Sequence, residues 1–350
     1  MAPVSNPDPI LHNPDFWTTV NVVEKLKKKK LCIASNLNDC EGAIVEAHTI
    51  PRSQLTKIAT NGKVYEIAAN PVDLARNDGE YTFRERGVGQ FSVLNCFCEK
   101  HDREIFSPIE NEPLVFDTRQ LSVLHYRAMG AELYKKATAL DVSDHLIQHS
   151  KKRNPRRSAA TIETARAGVM MGVQDIGAAF ELCEQAVFTP AHGNISGLII
   201  RFKRKPTLMA VGGFTPEYGY NGAPVAQLSF AQPPPAPIIG LSVLATTDGA
   251  AAVFSWLREA KLCHAFAETL IAQPPDLITT LIIQTAFEQV ENTCMKKEWW
   301  NALVPAEQKA LLRRAKSGLE RQPRLSTSLQ FDGVCHDQWD YQGHVFVNCH

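Results

Sequence analysis

Between residues 195 and 245 the chain alternates short apolar runs with polar, Gly- or Pro-containing breaks. The runs are SGLIIRFKR, PTLMAVGGF, APVAQLSF and PIIGLSVLAT, with QPPPAP (232–237) separating the last two. Apolar runs of this length, bounded by turn residues, predict strands. On either side the period lengthens to that of helices. SAATIETARAGVMMGVQDIGAAFELCEQAVF is predicted as one long amphipathic helix. After the strands, DGAAAVFSWLREA, CHAFAETLIA, PDLITTLIIQTAFEQVENTC and PAEQKALLRRAKS are predicted as helices. Helix, several strands, then helices is the order of an α+β protein: a mainly antiparallel sheet covered by helices.

The first half is patterned differently. FDTRQLSVLHYRAMGAELYKKAT (116–138) predicts a helix with Leu121, Leu124 and Leu133 at helical spacing and Lys135 and Lys136 in its last turn. TIPRSQLTKIAT predicts a short helix with Pro51 in its first turn, and VNVVEKLKKKK (20–30) reads as a short helix or a basic approach segment. Residues 66–92 are polar and Gly-containing and read as an excursion with weak strand signals. At 150–158, charge, Asn and Pro displace apolar residues, which marks a boundary. The chain thus divides into an extension (1–30), a small module (31–115), a helical connector (116–150), an α+β domain (151–325) and a tail (326–350).

Of the 350 residues, 44% are hydrophobic and 21% charged, which supports a packed core rather than disorder. The formal net charge is zero, so only local patches speak about nucleic acid. Two basic runs flank the small module: Lys27, Lys28, Lys29 and Lys30 before it, and Lys151, Lys152, Arg153, Arg156 and Arg157 beyond the connector. Close together, they would form a phosphate-contacting surface that positions a duplex without reading its sequence. MAPVSNPDPILHNPDF lacks a basic segment followed by an apolar one, and PAPIIGLSVLATTDGAAAVFSWL is interrupted by Thr246, Thr247, Asp248 and Gly249. The expectation is a cytoplasmic protein that does not enter a membrane.

Nine cysteines without an export signal point to metal rather than disulfides. Cys183, Cys263 and Cys294 lie in apolar helical patterns and read as buried thiols. Cys98 and His101, three apart at a helix start, place two ligands within one turn. Cys32 and Cys40 flank a loop long enough to fold back on itself. Together the four make a tetrahedral set of the kind zinc takes, closing the excursion between them. Cys96, two residues before Cys98, is the rival ligand. In the tail, Cys335-His336 and Cys349-His350 are adjacent pairs with awkward geometry for one ion, and the tail is expected to be mobile and free of metal.

AIVEAHTIPRS and NCFCEKHDREIF resemble the first and last motifs of HNH (ββα-metal, treble-clef) endonucleases, over about residues 31–110. They are also similar to an AHxI…FCxxHDxxIF pattern of uncharacterised bacterial proteins. The resemblance implies a zinc-stabilised module with His48 as the general base, Asn95 holding the loop or orienting that histidine, and Asp102 in the place of the terminal metal-ligand histidine. It further implies metal-dependent cleavage of DNA or RNA with Mg²⁺ or Mn²⁺, in bacterial defence against foreign nucleic acid. The chain departs from the motif at Ala47, where a cation ligand is usual; Glu46 is a substitute carboxylate on the same strand. The alternative is a catalytically degenerate zinc module that binds nucleic acid or protein, with the α+β domain recognising a partner or signal.

Overall fold

A computed structural model describes residues 9–34, 37, 39–153, 159–188, 192–226, 235–320 and 324–349. Eight strands form the central sheet, in the order β10-β5-β8-β7-β6-β9-β2-β3, every neighbouring pair antiparallel. Its middle is built from β5 (Ile195–Phe202), β6 (Leu208–Phe214), β7 (Ile239–Ala245) and β8 (Ala250–Leu257). These strands are buried on both faces, so their apolar runs are nearly continuous rather than alternating. Ile195 and Ile199 face one core; Leu198, Ile200 and Phe202 face the other.

On the first face lie two long helices, α5 (Thr118–Arg153) and α6 (Ala159–Phe188). On the second lie α7 (Lys261–Ile271), α8 (Ile278–Gln289) and α10 (Pro305–Leu319), with the short α9 (Lys297–Ala302) beside them. The molecule is therefore α+β, as its pattern predicts. No described helix is long and apolar enough to cross a membrane.

Three elements depart from the sequence expectation. DGAAAVFSWLREA is not a helix: Ala250–Leu257 is β8, paired on both sides by β5 and β7. Its alanines favour a helix locally, but a strand buried on both faces shows no period, and its position in the sheet decides the outcome. The end of the predicted helix PDLITTLIIQTAFEQVENTC is strand β9 (Thr293–Met295). The tail is structured as well: Tyr341–Val347 is β10, an edge strand on β5. Part of the predicted strand APVAQLSF lies outside the described residues, and its described part is a lone bridge at Pro224.

The small module does not stand apart from the sheet. Within the excursion, β2 (Lys63–Ala68) and β3 (Thr82–Gly87), joined by α3 (Pro71–Arg76), extend it through β9. The rest of the module packs on α5: Ala47, Ile50, Phe97 and Phe106 share one core with Leu121, Leu124 and Met129. Most of residues 116–150 belongs to the helix α5, against which this core is built. Gln120 fixes the turn into that helix. Its amide donates to the Pro108 and Pro113 carbonyls and accepts from the backbone N–H groups of Val115 and Phe116.

Candidate metal centre

The site grows from a two-stranded ribbon and the helix that follows it. Strand β1 (Ile44–His48) pairs antiparallel with β4 (Val93–Cys98), with Ile44 opposite Cys98 and His48 opposite Val93. A bulge between Val45 and Ala47 breaks the register, and Cys96, Phe97 and Cys98 are all buried in spite of the strand's two-residue period. Cys98 then caps α4 (Glu99–Glu110), which puts His101 within its first turn.

Backbone bonds bring the other two thiols in. Leu31 and Ile33 donate to the Asn95 and Cys96 carbonyls, so the chain around Cys32 runs alongside β4. Glu99 and Lys100 donate to the Ala43 and Glu41 carbonyls, tying the segment after Cys40 to the helix start. Between them Gly42 takes φ +77°, where a Cβ would meet the Glu99 side chain.

The four donors converge. His101 Nδ1 lies 3.3 Å from the sulfurs of Cys32 and Cys98 and 3.8 Å from that of Cys40. All four ligand atoms lie within 4.8 Å of one another, close enough to hold one metal ion. A zinc tetrahedron with bonds of about 2.3 Å to sulfur and 2.0–2.1 Å to nitrogen has S···N edges of about 3.6 Å. Cys98 and His101 are almost wholly buried, whereas Cys40 is exposed. Cys96 stays outside the cluster; burial pushes its thiol up.

The protonation pattern suits a ligand set. His101 Nε2 donates to Asp39 Oδ1 at 2.8 Å, so the Nδ1 lone pair is left facing the thiols. Burial alone would raise the Cys98 thiol. Hydrogen bonds from the His101 and Glu41 backbone N–H groups and from Cys32 and Cys40 outweigh burial and lower it. Burial holds Cys32 up at about 12.

Asp39, which sequence reasoning did not single out, completes the site. Its other oxygen takes Lys100 Nζ at 2.7 Å, and that bond, with the His101 bond, lowers its carboxyl. A carboxylate on the far nitrogen of a ligating histidine fixes the tautomer and ring orientation. Asp39→Ala is expected to weaken metal binding by about 10–100-fold, measured by competition with a chromophoric chelator. Unchanged affinity would mean that His101 is oriented by packing alone.

The second group of predicted residues is spread over β1, β4 and α4. His48 Nε2 donates to the Val88 carbonyl at 3.2 Å, which leaves its Nδ1 as an acceptor. Burial raises the Asp102 carboxyl, and the nearby Arg127 and His48 partly oppose that. Asn95 is turned elsewhere: its Nδ2 donates to the Lys28 carbonyl at 3.0 Å, holding the approach segment to β4. Glu46 is exposed.

Arg127 is the residue here that the sequence did not suggest, although a charge inside the apolar run LSVLHYRAMGA was a signal. It is 3% exposed, lies over the Phe106 ring and donates to Glu110. Its Nε and Nη1 are buried and have no hydrogen-bond partner among the described residues. It lines a cavity of about 10 Å³ with Ala47, His48, Thr49, Cys96 and Phe106, the space of a single water.

The basic runs can be placed in part. Lys27 ends α1 (Pro14–Lys27), and the exposed Lys28–Lys30 lead directly into the cysteine loop. Lys29 pairs with Asp141 on α5 at 2.8 Å. Lys151, Lys152 and Arg153 begin ten residues further along that helix, about 15 Å at 1.5 Å per residue. Arg156 and Arg157 lie outside the described residues. In the tail, Cys335, His336 and Cys349 join no metal cluster among the described residues, and His350 lies outside them.

No protein-family model matches the chain, and comparison with curated proteins and with solved structures returns no match.

Proposed function

We propose that the cysteine loop, β1, β4 and α4 form an HNH-like, treble-clef module held by one structural zinc ion, and that this module binds nucleic acid. The observation that carries the zinc assignment is the convergence of Cys32, Cys40, Cys98 and His101, with Asp39 on the far nitrogen. Thiolate and imidazole donors in a four-ligand set are the chemistry zinc prefers. Support for nucleic acid comes from the approach segment, where Lys28 and Lys30 stand exposed beside the module and Asn95 ties that segment to β4. These lysines would contact phosphates and give affinity without sequence preference.

One observation favours a second reading, phosphodiester hydrolysis. The Val88 bond leaves His48 Nδ1 free to take a proton from water, and Asp102 lies in the same electrostatic neighbourhood. Bound there, Mg²⁺ or Mn²⁺ would supply charge stabilisation at the phosphate, with Asp102 as an oxygen ligand.

The test uses plasmid DNA and single-stranded RNA with Mg²⁺ or Mn²⁺, alongside salt-dependent retardation of a duplex. Binding that weakens as salt rises, and weakens further in Lys28→Glu/Lys30→Glu, is the expected result. If the wild type also cleaves, His48→Ala should slow cleavage at least about 100-fold with zinc content unchanged. Absence of both binding and cleavage would remove nucleic acid from the proposal and leave the zinc module standing.

A further inference from the structure

A second site lies away from the metal centre, where the end of β8 meets the start of α7 opposite α6. Here the described residues leave a pocket of about 580 Å³. Its walls are apolar: Ala179 and Leu182 from α6, Pro237 and Ile238 before β7, and Leu257 and Leu262. Volumes of 300–1,000 Å³ with mainly apolar walls are those of small-molecule sites. Leu182 and Leu262, which line it from α6 and α7, are 41% and 46% exposed.

One polar group reaches the interior. His125 is 1% exposed, lines the pocket, and comes from the central helix α5. Its Nδ1 meets Ser255 Oγ at 3.0 Å, which fixes the ring against the sheet. Nε2 has no protein partner among the described residues. Burial pushes this imidazole down to about 4, so at neutral pH it is uncharged and offers one hydrogen bond. At the rim, Arg258, Glu259 and Lys261 mix both signs of charge, so the mouth does not select strongly for an anion or a cation.

We propose that this pocket binds a small, uncharged, largely apolar molecule that carries one hydrogen-bonding group for His125. The α+β part of the chain is then a small-molecule sensor or carrier domain. The site stands apart from the nucleic-acid reading and does not depend on it.

The test is a fluorescence titration of the full chain with N-phenyl-1-naphthylamine, an uncharged apolar probe with a single N–H. Saturable binding of one probe per chain is expected, with a change in the ring resonances of His125 on titration. Leu182→Trp and, from the opposite wall, Leu262→Trp should each weaken binding at least about tenfold by filling the mouth. Zinc content and melting temperature confirm that each variant is folded. Binding unaffected by both tryptophans, or His125 resonances unmoved at saturation, overturns the proposal. Tighter binding of the sulfonated analogue 8-anilinonaphthalene-1-sulfonate would overturn the assignment of an uncharged ligand.

Discussion

Cys98→Ser is expected to empty the metal centre and loosen the whole face of the protein built on β4 and α4. Cys98 is at once one of the four converging donors, the last residue of β4 and the residue that leads into α4, so loss of its thiolate from an ion held there would loosen these elements from one another. Structural zinc contributes on the order of 10–16 kcal/mol in isolated zinc-finger peptides, because there the site exists only when the peptide is folded. The loss here will be smaller, since Ala47, Phe97 and Phe106 remain packed on α5. A destabilisation of at least about 3 kcal/mol is expected, which for a chain of 350 residues corresponds to roughly 4 °C or more in melting temperature. Elemental analysis should fall from one zinc per chain to near none, and amide exchange should accelerate in segments 31–60 and 93–110. Cys96→Ser is the control: it costs about 1–2 kcal/mol as a polar change in the core and leaves zinc in place. Unchanged zinc in Cys98→Ser, or zinc lost equally in Cys96→Ser, would break the ligand assignment.

The convergence of these four donors could be anticipated from the sequence because each is a rare residue type held by local structure. Cys98 and His101 need only the first turn of α4, and Cys32 and Cys40 need only a loop that doubles back. Asp39 was hidden because nothing in its spacing separates it from any other surface aspartate; only the folded loop brings it to Nε2 of His101. The choice between Cys96 and Cys98 also escaped the pattern. A strict two-residue alternation places both on one face, and the bulge in the ribbon separates them.

The strands were legible where polar turns bound them, as in β5 to β7. β8 was not, because its alanines carry a helical propensity that its neighbours in the sheet override. The contact between the small module and the central sheet was hidden for a related reason. Of the weakly patterned pair β2 and β3, β2 finds its second partner far along the chain in β9, where Tyr65 lies opposite Met295, and no local signal encodes such pairing. Arg127 and His125 share a third kind of concealment. Both sit in the apolar run of α5, and only the fold shows Arg127 nitrogens without a partner among the described residues and the His125 ring lining a pocket.

The tail gives the second large effect, because a segment expected to be mobile carries a fully buried indole. Trp339 is 1% exposed, packs edge-on against Phe202, and its Nε1 donates to Asp337 and Thr207. Its backbone N–H donates to Thr279 on α8, and its carbonyl accepts from Arg204 at the end of β5. The residue thus closes the second core at the sheet's edge and leads into β10, which begins at Tyr341. Trp339→Ala removes up to about 250 Å² of buried surface and is expected to cost about 3–5 kcal/mol. Trp339→Phe should recover part of that loss, because the ring contact with Phe202 survives while the Nε1 bonds do not. Trp339 and the metal centre lie on opposite faces of the sheet, so zinc content should stay at one per chain in Trp339→Ala. The double variant with Cys98→Ser should then be additive to within about 0.5 kcal/mol in denaturant melts. A Trp339→Ala protein that melts like the wild type would show that β10 and its anchor are dispensable. Zinc lost from it would show instead that the two faces unfold as one unit.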